Sequence, residues 1–201
     1  MKKEDFLILW DNGHGKDTKG KRSPKWPDQP QLFEWEYTRE LAKYCKIKAD
    51  EKGIKSKILV PEDYDVSLTE RCKREHKEYE KNPNTIFVSL HGNAFGCENV
   101  RGFEVFTSPN ITESDEVAKE ILLRCEETGL FKMRFNEGHE YLNKEARFTV
   151  LTKTKGRAVL VEAGFYTNKE EAKFMQSTEG LNAISSIIVE GIENYIKKHV
   201  D

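Results

Sequence analysis

Four residues far apart in the chain, His14, Glu34, His91 and Glu162, are of types that bind divalent cations or move protons. Three of them stand where an apolar run gives way to glycine, in FLILWDNGHG, IFVSLHGN and AVLVEAG. Short runs rich in Ile, Leu, Val and Phe read as buried strands of an α/β sheet. Ligands and reacting groups gather just past the carboxyl ends of such strands, where loops converge on a crevice. Two imidazoles and a carboxylate on that rim point to a metal enzyme.

His14 lies between Gly13 and Gly15 directly after the first run, where glycine lets the backbone turn sharply and leaves the imidazole uncovered. His91 follows a later run in the same manner, before Gly92 and Asn93, so both imidazoles are expected on one rim. Glu34 and Glu36 compete as the third ligand. At ~100° per residue the two point about 200° apart on a helix. Glu34 shares its face with Tyr37, Leu41 and Cys45, the buried side, whereas Glu36 aligns with Glu40, Lys43 and Ile47, mostly solvent side. Glu34 is the inward one, and a buried carboxylate needs a partner. A metal ion would supply it, the plainer alternative being stabilisation by the helix N-terminus alone.

Glu162 ends the run AVLVE, and its apolar neighbours should raise its pKa, which suits a general acid/base. Taken alone it reads as half of a salt bridge. Beside a His, Glu, His site it becomes the natural base, because three protein ligands leave zinc a position for water. The reaction class is metal-assisted hydrolysis, most simply of an amide, with one Zn2+ ion. Cobalt and manganese accept the same donors. Asn93 and Asn168 are candidate substrate-binding residues, although asparagine beside glycine or before a helix is often turn or cap chemistry. His139 would reach the cleft only if the polar stretch 130–147 were a lid. His76 and His199 read as surface residues.

The elements that position these groups alternate along the chain. Strands are predicted at 6–10, 56–60, 85–90, 103–107, 148–151 and 158–162. A helix is predicted over 31–52, ended by Gly53. Ser67 and Glu70 form a capping box for a helix to about residue 81, and Thr112 with Asp115 cap another that stops near Gly129. A last helix spans about 179–198, and 130–147 is a long loop. Such alternation implies an α/β fold: a single three-layer domain over residues 1–201 with a twisted, mostly parallel sheet of about six strands and helices on both faces.

The 201 residues are 37% hydrophobic and 34% charged, with a net charge of −2. That balance gives no electrostatic reason to expect nucleic acid or an anionic membrane as partner. No run approaches the ~18 apolar residues of a membrane-spanning helix. The start, MKKEDFLILW, lacks the ~7–15 apolar residues of a secretory signal. Cys45, Cys72, Cys97 and Cys125 show no CxxC spacing and read as free thiols, which fits synthesis in a reducing cytoplasm without a signal peptide.

The segments DNGHG, LFEWEYTRELA, FVSLHGNA, RGFEVF and AVLVEAGFYTN occur in the order and approximate spacing of the zinc-dependent N-acetylmuramoyl-L-alanine amidases of the amidase 3 type. The resemblance runs from Leu7 to about Asn168. It implies a phosphorylase/hydrolase-like α/β sandwich, zinc held by His14, Glu34 and His91, and Glu162 as the catalytic carboxylate. The implied reaction cleaves the amide between N-acetylmuramic acid and the first L-alanine of the peptidoglycan stem peptide. Two departures stand out: Asn12 replaces the family's usual proline or alanine, and GKDTKGKRSPKWPDQP replaces a shorter glycine-rich segment. The form DTKGKRSP resembles bacteriophage and prophage lysis amidases, so an endolysin-like catalytic domain is expected, with no separate wall-binding domain, acting on the wall after release or export. A monomer is the expected state. The alternatives are a zinc peptidase cutting within the stem peptide and a non-catalytic wall-binding module. A glycosidase using Glu34 and Glu162 would leave both histidines without a role.

Overall fold

A computed structural model describes residues 2–134 and 142–200. Among these, a 3-10 turn (Lys3–Asp5) precedes β1 (Leu7–Asn12), α1 (Glu34–Glu51), β2 (Lys55–Ile58), α2 (Leu68–Tyr79), β3 (Thr85–Asn93), β4 (Phe103–Thr107), α3 (Glu113–Thr128), β5 (Lys144–Glu145), α4 (Thr149–Thr152), β6 (Arg157–Phe165), α5 (Lys169–Gln176) and α6 (Thr178–His199). The strands form one sheet in the order β2-β1-β3-β6-β4-β5, parallel throughout except where β4 runs against β6.

The central strands are apolar on both faces because helices cover both. Ile8, Trp10, Ile86, Val88, Leu90, Val159 and Val161 pack with Tyr37, Leu41 and Cys45 of α1, Val117 and Ile121 of α3, and Ile184, Ile188 and Ile192 of α6. Their sequence neighbours Leu9, Phe87, Ala158 and Leu160 turn the other way, onto Cys72 of α2 and Val150 and Leu151 of α4. The expected three-layer α/β architecture is the one observed.

Several details differ from the sequence reading. The segment 148–151 is not a strand: Thr149–Thr152 is a single helical turn, with Thr152 Oγ1 donating to the Phe148 carbonyl and Thr154 Oγ1 to that of Val150. The sixth strand is instead the polar edge pair Lys144–Glu145, inside the stretch expected to be loop. Helix α1 begins at Glu34 rather than residue 31, because Leu32 N–H donates to Ser23 Oγ and Phe33 bridges Arg22. Ser67 does cap α2, accepting from Glu70 N–H, but the Glu70 carboxylate turns to Arg74 and the box is not closed. Helix α5 has no counterpart in the sequence reading. His139 and the core of the expected lid fall within 135–141, outside the described residues.

One difference bears on the site. Glycine ends β1, which stops at Asn12, but not the other two strands: β3 runs through Gly92 to Asn93 with a register shift between His91 and Asn93, and β6 runs through Gly164 to Phe165. His91 and Glu162 therefore stand within strands and inherit their rigidity.

Candidate metal centre

His14, Glu34 and His91, some twenty to sixty residues apart in sequence, each bring one donor atom into a cluster within 4.8 Å. Glu34 supplies the hub. Its Oε1 lies 3.1 Å from His91 Nδ1 and 3.4 Å from His14 Nε2, and accepts from the Gly92 N–H at 3.2 Å. Its other oxygen, Oε2, is buried with no partner among the described residues. Glu36, the rival carboxylate, is exposed, as the helix phase required.

The turn that carries His14 is shaped by its two glycines. The His91 ring lies against Gly13, where an added Cβ would come within 2.4 Å of Cε1. A Cβ on Gly15 would meet the Asp65 backbone nitrogen at 2.0 Å. His14 between them has φ of 61°, in the left-handed region that costs a non-glycine residue energy and clusters at functional sites. Helix α1 holds the turn in place: Thr38 Oγ1 donates to the Gly13 carbonyl at 2.9 Å and Arg39 Nη2 to the His14 carbonyl at 3.1 Å. The two imidazoles meet edge to face, 5.0 Å between centroids and 87° between planes.

Burial works against a charge on Glu34, yet hydrogen bonds with the His14 and His91 imidazoles outweigh it and hold the carboxyl at about 2. Burial likewise opposes protonation of His91, and Glu34 with Glu162 carries it the other way, above its ordinary value. The negative carboxylate thus draws positive charge into the cluster. Two imidazoles and one carboxylate, whose second oxygen is still unpartnered, form a donor set that fits a zinc ion.

Glu162 is the register partner of His91 across β3 and β6, and of Glu104 across β6 and β4. Burial raises its carboxyl to about 7; His91 lowers it and the nearby charge of Glu34 raises it further. Its Oε2 is buried without a partner among the described residues. An open cleft of about 360 Å³ begins at His14 and His91 and runs past Thr18, Leu68 and Val150. Thr18 belongs to the insert after His14, so part of that insert does border the cleft.

The two asparagines are held by the framework. Asn168 caps α5, accepting from Glu171 N–H, while its Nδ2 donates to the Glu98 carbonyl. Asn93 Nδ2 donates to Glu104 at 3.0 Å. Behind the rim lies a buried network that sequence reasoning missed: Arg71 donates to Asp11 Oδ1 and to the Asn12 carbonyl, both at 2.6 Å, and Ser89 Oγ donates to Asp11 Oδ2 at 2.6 Å. Charged residues inside apolar strands, Asp11 after LILW and Glu104 in GFEVF, were the available signal.

The chain matches the family model described as N-acetylmuramoyl-L-alanine amidase over residues 8–194. It is 24% identical over 188 residues to a probable cell wall amidase, LytH, of Staphylococcus epidermidis, covering 94% of this chain and 57% of that protein. It thus spans little more than half the length of that relative. Identity to N-acetylmuramoyl-L-alanine amidase AmiA of Salmonella typhimurium is 22% over 227 residues, covering 94% and 75% of the two chains. Among solved structures, the amidase AmiC2 of Nostoc punctiforme superposes with a TM-score of 0.78 at 25% identity, over 96% of this chain and 98% of that one. An N-acetylmuramoyl-L-alanine amidase from Clostridium difficile 630 shares the fold, with a TM-score of 0.82 at 22% identity over 98% of each chain. The catalytic domain of the CD27L endolysin shares it as well, at 0.66 and 22% over 94% and 96%. A match that runs from the first strand into the last helix shows that this chain belongs to the N-acetylmuramoyl-L-alanine amidase family.

Proposed function

We propose that this chain is a catalytic domain that hydrolyses the amide between N-acetylmuramic acid and L-alanine in peptidoglycan, with one zinc ion held by His14, Glu34 and His91. The observation that carries the reading is the adjacency of this donor cluster to a carboxyl raised to about 7 on the neighbouring strand. When bound, such an ion supplies Lewis-acid chemistry, polarising a carbonyl and acidifying water.

The chain's own residues do the rest. Glu162, a buried carboxyl on the strand beside the donor cluster, takes a proton from the attacking water and returns it to the leaving nitrogen of L-alanine. Its strand neighbour His91 fixes its distance from the donor cluster through the β3–β6 ladder. Gly13 leaves room for the His91 ring, and Gly15 lets the turn that carries His14 pack on the backbone of Tyr64 and Asp65. Asn93, its amide oriented by Glu104, is the candidate substrate contact two residues past His91, and Asn168 caps the helix that follows β6. The form DTKGKRSP and the fold shared with an endolysin domain support a wall-lytic role. No described helix is long and apolar enough to cross a membrane.

A digest of purified peptidoglycan read by mass spectrometry tests this. New free L-alanine amino termini, with glycan and cross-links intact, are expected. Released D-amino acids or cut cross-links would make the protein a peptidase of the stem instead.

A further inference from the structure

Beyond Glu162 the same row of the sheet continues to Glu104, which faces it across the antiparallel β6–β4 pair. Like charges directly opposite one another destabilise a sheet, so Glu104 must be compensated. It is only 3% exposed and is met by three donors: Arg134 Nε at 2.6 Å, Lys144 Nζ at 2.8 Å and Asn93 Nδ2 at 3.0 Å. Two of the three donors are cations, set at the end of a row that also holds the carboxyl of Glu162. Both cations are half-buried, with the Arg134 side chain 32% and the Lys144 side chain 21% exposed.

Arg134 is also fixed along its whole length. Its N–H donates to the Phe103 carbonyl at 3.2 Å, and Lys132 and Met133 pair with Phe103 on the same edge. Its stem fills the space over Gly102, where an added Cβ would come within 2.9 Å of Cγ and Cδ. Its guanidinium stacks over the Phe165 ring at 5.3 Å. Only Nε is used by Glu104, which leaves Nη1 and Nη2 without a partner among the described residues. A guanidinium immobilised in this way has little rotamer entropy left to lose on binding and offers a planar, two-point donor suited to a carboxylate.

We propose that Arg134, supported by Lys144, recognises a carboxylate on the peptide of the substrate, one strand beyond the carboxyl of Glu162. This rests on the amidase reading, in which the lactyl carboxyl is consumed in the scissile amide and the acidic groups lie on the peptide. Two strand spacings separate β3 from β4, about 10 Å. An extended peptide covers that in roughly three residues. The carboxylate therefore belongs to the first few residues after the amide.

The test compares kcat/KM for two matched N-acetylmuramoyl tripeptides beginning with L-alanine, one with every carboxylate free and one with every carboxylate converted to carboxamide. The intact protein should prefer the free acid by about tenfold or more, the size of a charge-assisted pair. Arg134→Gln should bring that ratio to within about twofold, and Arg134→Lys, which keeps a cation on Glu104 but loses the fork, to an intermediate value. Hydrolysis of both substrates with no preference, or a ratio unchanged in Arg134→Gln, overturns the proposal and leaves the amidase reading standing. If Arg134→Gln does not fold, an unchanged ratio in Arg134→Lys overturns it equally. Hydrolysis of neither substrate by the intact protein overturns the reading and the proposal together.

Discussion

His91 and Glu162 are register partners on adjacent parallel strands, so a candidate metal ligand and a buried carboxyl stand side by side in the middle of the sheet. Burial places that carboxyl at about 7 instead of the usual 4.5. A raised carboxyl is one whose ionised form the fold disfavours. In metal-free protein the folded state should lose stability as pH climbs between those two values. Glu162→Gln removes that loss. Its stability relative to wild type should rise from about pH 4.5, level off above about pH 7, and reach at most about 3 kcal/mol. Urea unfolding of both proteins across this range measures it, and a difference independent of pH would contradict it.

Gly13 and Gly15 are required for different reasons. In Gly13→Ala the new methyl meets the His91 ring, which can swing aside at little cost to the fold. Zinc affinity should fall by about tenfold or more while the melting temperature of the metal-free protein stays within a few degrees. In Gly15→Ala the methyl meets backbone atoms of Tyr64 and Asp65, which move only with their loop. That variant should lose about 1–3 kcal/mol of stability. Zinc titration and thermal unfolding of the two variants separate these effects, and the reverse pattern would contradict the assignment.

Arg71 and Asp11 form a pair that is almost entirely buried, 2.6 Å apart. Arg71→Met leaves Asp11 charged and uncompensated, for an expected loss of about 3–5 kcal/mol. Adding Asp11→Asn should restore a large part of it, because the stranded charge is then gone. Chemical denaturation of the two single variants and the double variant measures the coupling. Losses that simply add would mean that the pair is not energetically linked.

What could be read from the sequence was whatever a periodicity of two or 3.6 imposes on types of residue. Helix phase separated Glu34 from Glu36 because Tyr37, Leu41 and Cys45 mark the buried side of α1, and the structure buries Glu34 and exposes Glu36. Alternating apolar runs gave the parallel core strands. The turn at Thr149–Thr152 reads as strand because Thr149, Val150 and Thr152 are β-branched, whereas the hydroxyl bonds that go with the turn, Thr152 to the Phe148 carbonyl and Thr154 to that of Val150, are a matter of local geometry. Strand β5 escaped notice because an edge pair of Lys and Glu has no apolar signature. The network of Asn93, Glu104, Arg134 and Lys144 joins four segments distant in sequence, and nothing in one dimension ties them together.

Metal content and peptidoglycan hydrolysis, measured together on the intact protein and on Glu162→Gln, test the division between ligands and base most directly. Expected is one zinc ion per chain in both proteins, with hydrolysis by the variant lower by about 10²–10⁴-fold. Loss of the metal from Glu162→Gln, or undiminished hydrolysis by a variant that retains it, would contradict the assignment of three ligands and a separate base.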